Sequence, residues 1–156
     1  MPRGPAGGGS LLLNRKEKTT FTAVTATTRA TADTIITADA VSYDGATLVK
    51  VSLYIPLATI QLEAAQTDGL IGFVLYDGST QLGDFGVIQV SGAVAAETIV
   101  QAFYGVVTLT PSAASHTYSG RGWVASTNND GNSGADCGTG VGEAYPVLLL
   151  QESLVS

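Results

Sequence analysis

One histidine, one cysteine, six tyrosines, one tryptophan and thirteen acidic side chains are the groups with which this 156-residue chain could do chemistry. General-base work by His116 would need a nucleophile and an orienting acid beside it. Ser112, Ser115 and Ser119 are its neighbours in sequence, but hydroxyls near the start of a strand ordinarily serve turns, so no catalytic residue is assigned. His116 is expected to be a hydrogen-bonded residue where the chain enters a strand. Cys137 has no helix N-terminus or basic partner in sight to lower its thiol pKa. A single Cys excludes an internal disulfide, and one Cys with one His cannot make a structural zinc site within the chain. Asn128, Asn129, Asp130, Asn132 and Asp136 could offer oxygens to calcium. Their spacing lacks the closing Glu of an EF-hand and does not repeat, so they read as a polar loop tip and a candidate recognition loop. Glu63, Asp68, Glu97 and Glu143 would have to pair at a fixed separation to act on a glycosidic bond, and nothing in their spacing pairs them. No phosphate loop, dinucleotide fingerprint or paired-cysteine motif is present. The expectation is a chain without catalytic residues, cofactor or metal. Tyr43, Tyr54, Tyr76, Tyr104, Tyr118, Tyr145 and Trp123 could line a glycan site, but read first as core and interface residues whose polar tips find partners.

Charge is scarce and unevenly placed. Only 13% of residues are charged, against about 25% in an average soluble domain. Five of the seven basic residues, Arg3, Arg15, Lys16, Lys18 and Arg29, precede residue 30, where the sole acid is Glu17. Twelve acids and only Lys50 and Arg121 follow. A basic beginning on an acidic body favours docking onto an acidic protein surface. The scattered charges lack interleaved aromatics, which argues against nucleic acid. Residues 1–10 are rich in Gly and Pro and cannot hold regular structure alone. Residues 1–18 therefore read as an extended basic arm, with Arg3, Leu11, Leu12, Leu13, Arg15, Lys16 and Lys18 as its contact residues. The leucine triplet is too short for a signal peptide. No run reaches the roughly 18 apolar residues of a membrane helix, so no membrane is expected as a partner.

From Thr19 to the end the period is that of strands, in one domain over residues 19–156. Short β-branched runs carry Phe21, Val24, Ile35, Ile36 and Val41. Residues 46–57 place Val49, Val51, Leu53 and Ile55 on one side and Lys50 and Ser52 on the other, with Pro56 near the end, where a missing N–H is tolerated. Further strands are expected at 69–76, 82–90, 97–110, 116–126 and 145–155, with a tight turn at Asp77-Gly78 and a loop over 127–143. Thr59 to Gln66 is long enough for only one or two helical turns. About eight antiparallel strands in one domain argue an all-β sandwich, with a jelly roll as the leading topology.

Four stretches carry a resemblance. They are Ser42-Tyr43-Asp44-Gly45 running into the 46–57 strand, residues 75–83 (LYDGSTQLG), residues 109–118 (LTPSAASHTY), and Gly138-Thr139-Gly140 leading to Tyr145-Pro146-Val147-Leu148. Over residues 19–155 the chain resembles bacteriophage virion proteins with a tumour-necrosis-factor-like jelly roll. Residues 127–143 are longer and more polar than that pattern, and Gly120 and Gly122 stand where its strands hold bulkier side chains. The resemblance implies a non-enzymatic homotrimer on the virion, either a decoration protein bound to the major capsid protein on the head, or a tail or fibre component that binds a host receptor or glycan. The trimer reading places Phe103, Tyr104, Leu148 and Leu150 at the subunit interface. The arm reading expects removal of residues 1–18 to leave a folded domain that no longer binds the particle.

Overall fold

The computed structural model describes residues 9–62, 68–91, 97–124 and 146–154, together with the backbone of residues 134–136. Twelve strands run in chain order through them: β1 (Ser10–Lys18), β2 (Thr22–Ala23), β3 (Asp33–Thr37), β4 (Val41–Ser42), β5 (Val49–Gln61), β6 (Gly69–Asp77), β7 (Thr80–Val90), β8 (Thr98–Leu109), β9 (Ser115–His116), β10 (Tyr118–Val124), β11 (Gly134–Asp136) and β12 (Val147–Leu154). A 3-10 turn at Arg29–Thr31 is the one helical piece among the described residues. The long strands form two four-stranded antiparallel sheets, ordered β1-β12-β5-β8 and β3-β10-β6-β7. Strands that follow one another in the chain, such as β5 and β6, mostly lie in opposite sheets, and this winding makes the sandwich a jelly roll. The short β11 and β2 continue the first sheet beside the far end of β5, and β4 pairs β9 as a separate ribbon.

β5 organises the core. Its inward Val49, Val51, Leu53 and Ile55 are fully buried, as their alternation requires. Opposite them stand Ile71, Phe73 and Leu75 of β6, also fully buried. The strand is longer than its sequence pattern suggests. Residues 59–61, a possible helical start, continue it by pairing with Val100, Ile99 and Thr98 of β8. Pro56 sits where the β5–β8 register shifts, between Ile55 and Ala58. A proline at a register break leaves no ladder donor missing. Likewise, Gly134–Asp136 is not loop but strand, pairing with Leu57–Thr59 of β5.

The two β10 glycines have a packing reason. A Cβ on Gly122 would lie 2.9 Å from a Val24 methyl and 3.0 Å from Ile35 Cδ1, and one on Gly120 would lie 3.1 Å from Leu53. Their absence lets the neighbouring side chains fill the layer between the sheets. On the outer side of the same sheet, Trp123 lies against Gly72, its cross-strand partner, where a Cβ would fall 2.4 Å from the indole nitrogen.

The arm expected over residues 1–18 is corrected by the structure. Residues 10–18 belong to the sandwich as β1, paired antiparallel with β12 from Ser10↔Leu154 to Lys18↔Val147; Arg3 lies outside the described residues. Leu13 packs on the core at a register shift, whereas Leu11 and Leu12 remain 60% and 53% exposed. The acidic surface that the basic residues meet is in large part their own chain. Lys16 pairs with Asp39 at 2.8 Å, Lys18 donates to the Ile35 carbonyl at 2.7 Å, and Arg15 pairs with Glu17. The exposed Lys16–Asp39 pair is worth at most about 1 kcal/mol, so the β12 ladder and Leu13 hold β1 in place. Removal of residues 1–9 should leave the urea unfolding midpoint unchanged. Removal of residues 1–18 should cost on the order of 2 kcal/mol, and equal midpoints for the two truncations would contradict this account of β1. Gly122→Val should destabilise by about 1–3 kcal/mol through overpacking against Val24 and Ile35, measured in the same way.

Candidate functional site

Among the described residues, a cluster of polar, titratable groups built around the histidine sits at an end of the sandwich. β6 finishes at Asp77, and Gly78 takes a φ of 55° to turn the chain into β7. That left-handed conformation suits glycine at a tight hairpin. From β8 the chain passes through Pro111, which is buried, and folds back on itself as Ala114 N–H donates to the Ser112 carbonyl at 2.8 Å. β9 then pairs with β4 and carries His116 between the two turns.

The imidazole is held at both nitrogens. Nδ1 lies 2.5 Å from Asp77 Oδ2, and the other Asp77 oxygen accepts the Thr117 N–H at 3.1 Å. Nε2 lies 3.1 Å from the Ser112 hydroxyl and 3.1 Å from the Ser112 carbonyl. The Tyr43 and Tyr118 rings flank it at 5.8 and 5.9 Å between centroids. Behind them, the Tyr43 hydroxyl donates to Oε1 of the fully buried Gln151. Serine, histidine and aspartate thus meet in the order of a nucleophile, a base and its orienting acid. Residue spacing identified the serine as a neighbour, but Asp77 is 39 positions away and joins the site only through strand pairing.

The protonation state follows from the partners. A carbonyl can only accept, so Ser112 O favours a proton on Nε2, while Asp77 favours one on Nδ1. The hydrogen bond to Asp77 is the main reason that the His116 pKa lies above its ordinary 6.5; the Ser112 carbonyl adds to it and burial opposes it. When protonated, the ring is a double donor, a charged clamp between the β6–β7 turn and the 110–116 connection. Burial, with Asp77 nearby, pushes the Tyr43 hydroxyl up to about 12, and burial also raises Tyr118. Both phenols stay neutral. Next to the clamp, Asp44 closes its own turn by accepting from Ala46 N–H, Thr47 N–H and the Thr47 hydroxyl, which hold its pKa at about 2.

The other expected site residues are distributed as follows. Tyr104, Leu148 and Leu150 share the outer face of the first sheet, whereas Phe103 does not join them. It is buried in the core with its ring 4.4 Å from Phe73, because adjacent residues of β8 point to opposite faces. Asn128, Asn129, Asp130, Asn132 and Cys137 lie outside the described residues, as do Glu63 and Glu143, and of Asp136 only the backbone is described. Asp68 precedes β6, and Glu97 precedes β8, where its carbonyl accepts the Leu62 N–H. Among the described residues no three His, Cys, Asp or Glu side chains could hold a metal ion, and no helix is long and apolar enough to cross a membrane.

A group whose pKa is raised on folding contributes stability that is complete below its unfolded value and is lost as pH rises through the folded value. The clamp should thus be intact at pH 6 and weaken above the His116 midpoint. His116 is the only histidine, so its proton NMR signals are unambiguous. Their titration midpoint should exceed 6.5, and Asp77→Asn should lower it; a native midpoint at or below 6.5 would contradict the double-donor assignment. No protein-family model matches the chain, and a search of curated proteins finds no match to it.

Proposed function

We propose that the chain is a non-enzymatic virion structural protein, a homotrimeric capsid decoration protein that reinforces a phage head. The observation that carries this reading is the outer face of the β1-β12-β5-β8 sheet. Cross-strand pairing sets Leu148 beside Tyr54 and Tyr54 beside Tyr104, and sets Leu150 beside Ser52 and Ser52 beside Val106. Tyr104 is 61% exposed, with Tyr54, Val100 and Val106 also open. An apolar patch of this kind, rich in tyrosine and continuous over three strands, is characteristic of a protein interface. Its border is polar: Lys50 and Glu152 pair at 2.6 Å and Ser10 donates to Glu152, which raises the Lys50 pKa and lowers that of Glu152. The resemblance to phage jelly-roll trimers supplies the number three and the virion location. Docking onto the major capsid protein is proposed for Arg3, as the sequence expects, and for Leu11 and Leu12, which are exposed on β1.

The test is mass in solution. Light scattering on the eluting protein should give three times the 15.9 kDa chain mass. Tyr104→Glu with Leu148→Glu should give a folded monomer, since both side chains point away from the core. A native protein that is monomeric at tens of micromolar would overturn the trimer. Binding of the native trimer to a host-surface glycan, with none to phage heads, would shift the reading to a tail or fibre component.

A further inference from the structure

We propose that Ser112 is a nucleophilic acylation site, activated by His116 and Asp77 when Nε2 carries no proton. This role is independent of assembly and goes beyond it. Nδ1–H donates to Asp77 Oδ2, 2.5 Å away, in either protonation state of the ring, and Thr117 N–H fixes the carboxylate from its other oxygen. What changes with protonation is the partner of Nε2. As N–H it donates to the Ser112 carbonyl, 3.1 Å away, and the hydroxyl has no base. As a bare nitrogen it cannot bond an acceptor-only carbonyl. Its lone pair then takes the Ser112 hydroxyl proton across 3.1 Å. The same residue supplies both partners, so the switch needs no movement of the backbone.

The surroundings leave that exchange to the imidazole. Tyr43, just after β4, and Tyr118 of β10 face the ring as neutral phenols. Among the described residues, Asp77 of β6 is the charged side chain in contact with it, and Arg121 of β10 is turned to the Gly78 carbonyl of the same hairpin. Ser112 itself is exposed, open to a small acyl donor from solvent.

The class of reactant is an activated ester or a phosphonofluoridate. Ser112 Oγ attacks the carbonyl carbon, its proton passes to Nε2, and the Oγ–acyl bond replaces the bond to the leaving alkoxide, which takes up that proton. With a phosphonofluoridate the P–F bond breaks, fluoride leaves and Oγ bonds phosphorus. On an open surface the expected chemistry is slow and ends at one stable adduct per chain.

The intact protein is incubated with a fluorophosphonate probe between pH 6 and 9, and followed by intact mass and peptide mapping. One adduct on Ser112 is expected. Its rate should rise with pH along the His116 titration measured by NMR, as base catalysis requires. Ser112→Ala should abolish it, and His116→Gln should slow it about a hundredfold. Absence of adduct on Ser112 at every pH, or a native rate that does not follow the His116 midpoint, would overturn the proposal. So would His116→Gln labelling as fast as the native protein. The pH profile of the native protein keeps the test independent of whether any variant folds.

Discussion

A β-strand turns successive residues to opposite faces, and here the consequences of that rule converge on β5. The strand is flanked by β12 and β8, so its inward residues have neighbours on both sides and the second sheet in front. Val49, Val51, Leu53 and Ile55 fill that space with β-branched and γ-branched volume. The layer closes only because β10 yields room at Gly120 and Gly122. Propensity alone would disfavour two glycines in a seven-residue strand; packing density, which must match a solid rather than a liquid, overrides it. The same alternation leaves Tyr54 outside, where it joins Tyr104 and Leu148 to give the sheet an apolar outer face.

The end of the sandwich around His116 is polar. Two turns that are remote in sequence share one imidazole, and the backbone around it is tied by Gly78 N–H to the Thr117 carbonyl and by Tyr43 N–H to the Ala114 carbonyl. A side chain with donors on two sides can bridge turns that no ladder bridges. It positions a hydroxyl and a carboxylate at the same time, so a structural clamp and a relay differ by one proton.

β5 was readable because Val49, Val51, Leu53 and Ile55 give it one apolar side, and β6 and β12 were readable as short continuous apolar runs. Residues 10–18 were not readable in this way. Asn14, Lys16 and Lys18 face inward positions opposite Gln151, Leu149 and Val147, so polar side chains occupy the side that normally announces a strand. Lys18 spans to the Ile35 carbonyl and its stem covers apolar surface, a placement that composition presents as free charge. Phe103 and Tyr104 are both aromatic and adjacent, but neighbours in a strand do not share a face. The Ser112–His116 half of the polar cluster was visible as spacing. Asp77 was not, because its proximity is a property of which strands pair and not of the local sequence.

Among the described strands β1 pairs with β12 and no other, so its second row of backbone groups forms the rim of the first sheet as described. The rim changes character along its length. Arg15, Lys16, Glu17 and Lys18 guard one half with four consecutive charged side chains, the usual protection of an open edge. Ser10, Leu11, Leu12 and Leu13 leave the other half without any. A strand from another molecule would thus meet a barrier at one end of the rim and an apolar landing at the other. Along this rim, an apolar landing is offered at one end only.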